Sequence, residues 1–156
     1  MIVMLLKDRI LRVLPEIEQC YPRCRWIFLT LTLCSYNGEL SSTELSVILK
    51  SWQRLLRRRE FYRVVLGWVR TTSFKECNGI IYPYCQALLL VSPEYFGRWY
   101  VSNWAEIWRQ CARLNYTPVV DTRVVVDCGE FVKTMECSVE NRLTTTGGVL
   151  RRLLRE

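Results

Sequence analysis

The sequence predicts an α+β domain built on a central antiparallel sheet with helices packed on it. Two stretches, Trp26–Leu33 and Ile80–Val91, have the length and β-branched or alternating pattern of strands. Asn78-Gly79 joins two strand-like segments as a hairpin turn. Between the strands, apolar residues recur at three- and four-residue intervals, the spacing of helices with one buried side. At 156 residues the chain reads as a single domain over 1–156, and a chain of this size buries roughly 70% of its unfolded surface. The expected element order is α-β-α-β-β-α-β-α, with the helices on one face of the sheet.

In chain order, residues 2–19 form a helix with an apolar side of Leu6, Ile10, Val13, Leu14 and Ile17, kinked or ended at Pro15. Trp26–Leu33, WIFLTLTL, alternates Thr30 and Thr32 with Leu31 and Leu33, so this strand has one wetter face, and Asn37-Gly38 closes it. Ser41 and Glu44 have capping-box spacing before the stripe Leu45, Ile48, Leu49, Trp52, Leu55 and Leu56. Phe61–Phe74 reads as a strand. In IIYPYCQALLLV, the unbroken Ala87–Val91 run reads as a central strand, with Pro83 at its start or on an irregular edge. Asn103 and Glu106 repeat the capping-box spacing ahead of Trp104, Ile107, Trp108 and Cys111. Thr117–Val126 is a β-branched strand, and residues 130–140 read as a helix. Thr144–Gly148 reads as a loop, and 141–156 as a basic C-terminal tail carrying Arg151, Arg152 and Arg155.

Composition narrows the chemistry. Half the residues are hydrophobic and 24% charged, which excludes a disordered polar chain. The net charge is +7, and residues 1–80 hold most of it, with 13 basic against 7 acidic side chains. There is no histidine. That excludes His-ligated metals, imidazole general bases and Ser–His or Cys–His nucleophile systems. No apolar run approaches the ~18 residues of a membrane span, and the opening MIVMLLKDRI is a poor signal peptide. The eight cysteines include no CxxC pair. They read as free thiols in a reducing cytoplasm, several buried as small apolar groups.

Five segments resemble one known family. FLTLT at 28–32, GWVR at 67–70, YPYCQALLLV at 82–91, SPEYFGRWYVSNWAEIW at 92–108 and TPVVDTRVV at 117–125 occur in order across roughly residues 7–140. The chain resembles the initiator proteins of rolling-circle plasmids, whose nicking domain is named for paired histidines flanking a hydrophobic residue. The resemblance implies a palm-like sheet on which three histidines and an acidic residue hold a divalent metal, with a tyrosine nucleophile in a late helix. Here the histidine places hold Tyr82, Tyr84 and Gln86, and the acidic place falls near Ser73. The nucleophile place falls on Cys137, in MECSVE. The family's upstream Cys-rich segment has no counterpart in the sequence, so the chain is expected to start inside the usual full-length protein.

This departure has chemical consequences. Two phenols and an amide are poor first-shell ligands for a catalytic divalent ion, and a thiol is a poor nucleophile toward a phosphodiester without a metal or a lowered pKa. Lys133 would lower the Cys137 pKa, whereas Glu136 and Glu140 would raise it. The expected function is a DNA-binding replication-protein-like domain without metal-dependent nicking, and with no metal or cofactor. Its DNA would be single-stranded or a hairpin. Lys50, Arg54, Arg57, Arg58, Arg59 and Arg63, opposed only by Glu60, form the candidate DNA-binding patch. The alternatives are a regulatory subunit, or a residual nickase with a non-standard site. A regulatory subunit would pair with an active initiator or a second copy through the N-terminal helix and the Trp99, Trp104 and Trp108 region.

Overall fold

The computed structural model of the protein describes residues 6–35, 44–77, 79–97, 101–134 and 144–155. Helix α1 spans Leu6–Cys20 and strand β1 Arg25–Ser35. Helix α2 spans Leu45–Leu56, followed by the single turn α3, Arg59–Tyr62. The hairpin strands β2 and β3 are Val65–Cys77 and Ile80–Val91. Helix α4 (Val101–Ala112), strand β4 (Pro118–Val125) and helix α5 (Cys128–Thr134) come next. Strand β5 (Thr144–Gly147) runs directly into α6 (Gly148–Leu154). The strands form one antiparallel sheet in the order β4-β1-β3-β2-β5, so the apolar β3 lies at its centre.

The α+β architecture agrees with the sequence reading, but the layering does not: helices cover both faces. On one face, Leu29 and Leu31 of β1 and Ala87 and Leu89 of β3 pack against Trp52 and Leu55 of α2 and Trp104 and Trp108 of α4. On the other, Phe28, Val69, Leu88 and Leu90 pack against Ile10, Leu14 and Ile17 of α1, Val132 of α5 and Leu150 of α6. The cause is legible in β3, where Ala87–Val91 are all buried. A strand apolar on both sides needs a cover on both sides. The tryptophans are also tied by hydrogen bonds: the Trp108 indole donates to the Thr32 carbonyl at 2.6 Å and the Trp104 indole to the Tyr95 hydroxyl at 3.0 Å.

Several local expectations shift. The α1 helix continues through Pro15, which is exposed, because the buried Ile10, Leu14 and Ile17 hold both halves against the sheet. Glu44 is the N-cap of α2, three residues later than the Ser41 start. Asn103 lies inside the first turn of α4 instead of capping it, and Glu106 binds Arg109 and Gln110. Phe61 belongs to α3 instead of a strand, its ring meeting those of Trp52 and Trp104 edge-on. Pro83 lies near the start of β3, beyond the last paired β1 residues, Leu31↔Cys85. The described part of the supposed basic tail is folded as β5 and α6, with Val149 and Leu150 in the core. Within the surface expected for a protein partner, Trp104 and Trp108 are fully buried, Ile10, Leu14 and Ile17 of α1 are buried, and Leu6 and Val13 are partly buried. Trp99, Asn37-Gly38, Cys137 and the 135–140 part of the expected late helix lie outside the described residues.

The β5–α6 junction depends on two glycines. Gly148 has φ +61, and a Cβ there would stand 2.2 Å from the Leu66 carbonyl oxygen. A Cβ on Gly147 would fall 2.3 Å from the Trp68 ring. Gly148→Ala is therefore expected to destabilise the fold by at least about 2 kcal/mol, combining left-handed strain with a backbone clash. Gly79→Ala, at φ +80 but with open space around it, should cost only about 1 kcal/mol. Urea unfolding midpoints of the two variants test this ordering.

Candidate functional site

One polar row crosses the whole sheet. Asp121 pairs with Thr30, Thr30 with Gln86, Gln86 with Thr71 and Thr71 with Thr144. Directly opposed residues of antiparallel strands point to the same side, so these five lie on one face. It is the face covered by α1, α5 and α6, and the next row holds Tyr84 opposite Ser73. Apolar pairs such as Phe28↔Leu88 and Leu88↔Val69 seal one end of this face. Where polar residues replace them, a cavity of about 300 Å³ opens, lined by Phe28, Thr71, Tyr84, Gln86, Arg123, Phe131 and Thr134.

Helix α5 roofs this cavity. Phe131 meets Phe28 edge-on at 4.6 Å, and the Arg123 guanidinium lies 5.3 Å from the Phe28 ring and 5.6 Å from that of Phe131. Such contacts steer a flexible cation without removing it from solvent. Arg123 remains exposed, and its charge is available at the cavity mouth. The Thr134 hydroxyl donates to the Phe131 carbonyl at 2.7 Å, in the last turn of α5.

The structure puts Ser73, Tyr82, Tyr84 and Gln86 on the same sheet face, as strand periodicity requires. It does not make them equivalent. Tyr84 and Gln86 line the cavity; Tyr82 is buried at 3% exposure, and Ser73 is half-buried outside the lining. Among the described residues no three Cys, Asp or Glu side chains are grouped to hold a metal ion. The donors nearest the family's metal position are a phenol, an amide and hydroxyls, facing a guanidinium. That set does not fit a divalent cation, whose hard first shell calls for carboxylates or imidazoles. Cys137 lies outside the described residues, three positions beyond Thr134.

The candidate basic patch is elsewhere. It belongs to α2 and α3, and α2 packs on the opposite face of the sheet, so patch and cavity are not brought together. Arg54 donates to the Cys111 carbonyl at 2.7 Å; Arg58 donates to Glu60 at 3.0 Å and to Gln110 at 2.9 Å. These two arginines fasten α2 and α3 to α4. Lys50, Arg57, Arg59 and Arg63 are exposed. Sequence reasoning missed Arg123, Phe131, Thr71 and Thr134. For Arg123 a signal existed: in TPVVDTRVV it is the only basic residue of a β-branched strand, in step with Val125 on the apolar face.

A family model described as "Replication protein" matches residues 3–141. The chain belongs to this family, the rolling-circle replication initiators. It is 32% identical over 106 residues to "Protein rep" of Bacillus amyloliquefaciens, covering 65% of this chain and 31% of that one. With "Protein rep" of Streptococcus pneumoniae the identity is 29% over 129 residues, 78% of this chain and 40% of the relative. With a "Replication protein" of Staphylococcus aureus it is 24% over 136 residues, 83% and 58%. The initiator-family chain thus spans about a third to somewhat over half the length of these relatives. No solved structure matches it significantly. Tyr82, Tyr84 and Gln86, which the resemblance sets at the histidine places, lie on β3, and Ser73, set at the acidic place, lies on the adjacent β2 directly opposite Tyr84. Among the described residues no helix is long and apolar enough to cross a membrane.

The described cysteines are free. Cys85 alternates with Tyr84 and Gln86 and points into the other core, where burial pushes its thiol up to about 11 against a smaller opposing pull from Arg70 and the Thr72 hydroxyl. Burial likewise raises Cys111, and Cys128 to about 12. These thiols favour the fold in their neutral form. Their contribution is complete below the unfolded value of 9.0 and falls away as pH rises from there through about 11. Alkylation with iodoacetamide at pH 8, mapped by mass spectrometry, should label the exposed Cys20 first and leave Cys85, Cys111 and Cys128 unmodified until denaturant is added.

Proposed function

We propose that this replication-family domain binds a DNA phosphodiester, single-stranded or at a hairpin, in the cavity beneath α5 without a metal ion and without nicking. One observation carries the reading: where a nickase needs metal ligands, the cavity is lined by the Arg123 guanidinium, the Gln86 amide, the Tyr84 side chain and the Thr71 hydroxyl. This is a donor-rich set suited to phosphate oxygens. A guanidinium offers a fork of N–H donors to a phosphate, the Gln86 amide and the Thr71 hydroxyl supply neutral donors, and the Phe28–Phe131 pair keeps the cation at the mouth. Tyr84 adds an aromatic face on which a base or sugar can stack.

In this mechanism the residues bind and orient, and no bond is broken. Cleavage would require a Lewis acid to polarise the phosphate and an activated oxygen to attack it. Tyr82 is buried, Tyr84 has no neighbouring general base among the residues lining the cavity, and the lining holds a cation of its own.

Two measurements test the reading. Binding of a hairpin oligonucleotide should persist in EDTA and fall about tenfold in Arg123→Ala, equivalent to about 1.4 kcal/mol, with the fold intact because Arg123 is exposed. Incubation with a supercoiled origin-bearing plasmid and Mg²⁺ or Mn²⁺ should give neither open-circular product nor a covalent protein–DNA band. A metal-dependent adduct abolished by changing Tyr82, Tyr84 or Cys137 would overturn the proposal and establish an active nickase.

A further inference from the structure

A larger groove runs along β5, where the sheet ends at β5 in the described structure. It encloses about 730 Å³ and shares no lining residue with the cavity beneath α5. We propose that this groove is a second phosphodiester-binding track, for single-stranded DNA.

The charge of the groove is one-sided. Arg9 of α1 and Arg151 and Arg155, in and just after α6, line it, and among the described residues no Asp or Glu does. Arg9 donates to the Leu154 carbonyl, which ties α1 to the end of α6 and holds this guanidinium beside the other two. Arg151 and Arg155 are exposed. Three like charges with no carboxylate among the described lining residues repel one another unless an anion enters. A polyanion is therefore the occupant that gains most, with counterions released from its backbone.

The opposite wall supplies what a nucleic-acid strand needs besides charge. Tyr62 is 57% exposed on α3 and lines the groove, and the half-buried Trp68 indole forms part of its floor. Flat aromatic side chains stack on bases of any sequence. Thr145 and Thr146 contribute hydroxyls along the strand. Exposed Arg57, Arg59 and Arg63 flank the wall residues Leu56 and Tyr62 in the chain. Glu60, the acidic residue within that run, is engaged by Arg58 at 3.0 Å. The basic α2–α3 end, which is remote from the α5 cavity, thus borders this groove instead.

An extended peptide pairing with the outer edge of β5 is the competing occupant. With only four residues, β5 offers a short ladder, and an uncompensated arginine cluster favours phosphate over neutral backbone.

The test uses the full chain and a fluorescent oligothymidylate titrated over a range of salt. Arg151→Ala combined with Arg155→Ala should weaken binding about tenfold or more. It should also flatten the slope of log affinity against log salt by about 1.4, the value expected for two lost phosphate contacts on a single strand. Lysine at both positions should restore most of the slope, which a folding defect would not allow. Adding Arg123→Ala should multiply the loss, since the two sites are separate, and Arg123→Ala alone reports on the α5 cavity independently. An unchanged affinity and slope in the Arg151/Arg155 double variant would overturn the proposal. So would binding of an extended peptide, mapped to β5, that excess oligothymidylate fails to displace.

Discussion

The structure depends on strand β3 being apolar on both sides over one half of its length and polar on one side over the other. From Ala87 to Val91 every residue is buried, so the sheet must be covered on both faces there. Trp52, Trp104 and Trp108 provide one cover and Ile10, Leu14 and Ile17 the other. Each fully buried side chain of this size is worth roughly 1.5–3 kcal/mol, and both covers converge on the same five residues. Toward Tyr84 the even-numbered side changes character, and the helices on that face leave a cavity instead of a seal. The same strand therefore organises the core and positions the site.

The proposed site would differ in kind from the metal chemistry that the resemblance implies. A metal centre concentrates negative or neutral ligands around a cation. Here the positions that would supply those ligands present a phenol, an amide and a hydroxyl, and Arg123 brings a cation of its own. A fixed guanidinium can attract and orient a phosphate. It cannot take a water or alkoxide into its coordination sphere or lower its pKa as a metal does. On the proposed reading such a face serves recognition, and the shape for it comes from α5, whose Phe131 both closes the roof and steers Arg123.

The arginines divide by what they touch. Arg54, Arg58 and Arg109 are spent on carbonyls and side chains at the α2–α4 contact and within α4. Arg109 and Gln110 hold the Glu106 carboxyl down near 2, although the group is exposed. Others face outward, where an external anion can meet them, Arg9 while also donating to the Leu154 carbonyl, and they are not contiguous in sequence: Arg9 precedes β1, Arg57 and Arg63 follow α2, and Arg151 and Arg155 end the described chain. The Gly147-Gly148 junction brings the last pair into place, because only residues without a Cβ allow β5 to lie against Trp68 and turn into α6 beneath Leu66.

Sequence alone was enough for the α+β class, the central position of Ala87–Val91, the hairpin at Asn78-Gly79 and the common face of Tyr82, Tyr84 and Gln86. All of these follow from local periodicity, which is a property of adjacent residues. The family was legible too, from five segments in order. The number of covered faces was written in β3 as an apolar run without alternation, yet which helix covers which face depends on contacts between segments far apart in the chain. Tertiary structure decided the rest for that reason. The α5 roof over Tyr84, the arrival of Arg123 from β4, and the folding of 144–154 as β5 and α6 all rest on long-range packing. A periodic pattern tells which side of an element is buried, as it did for Trp104 and Trp108, but not which distant segment covers it.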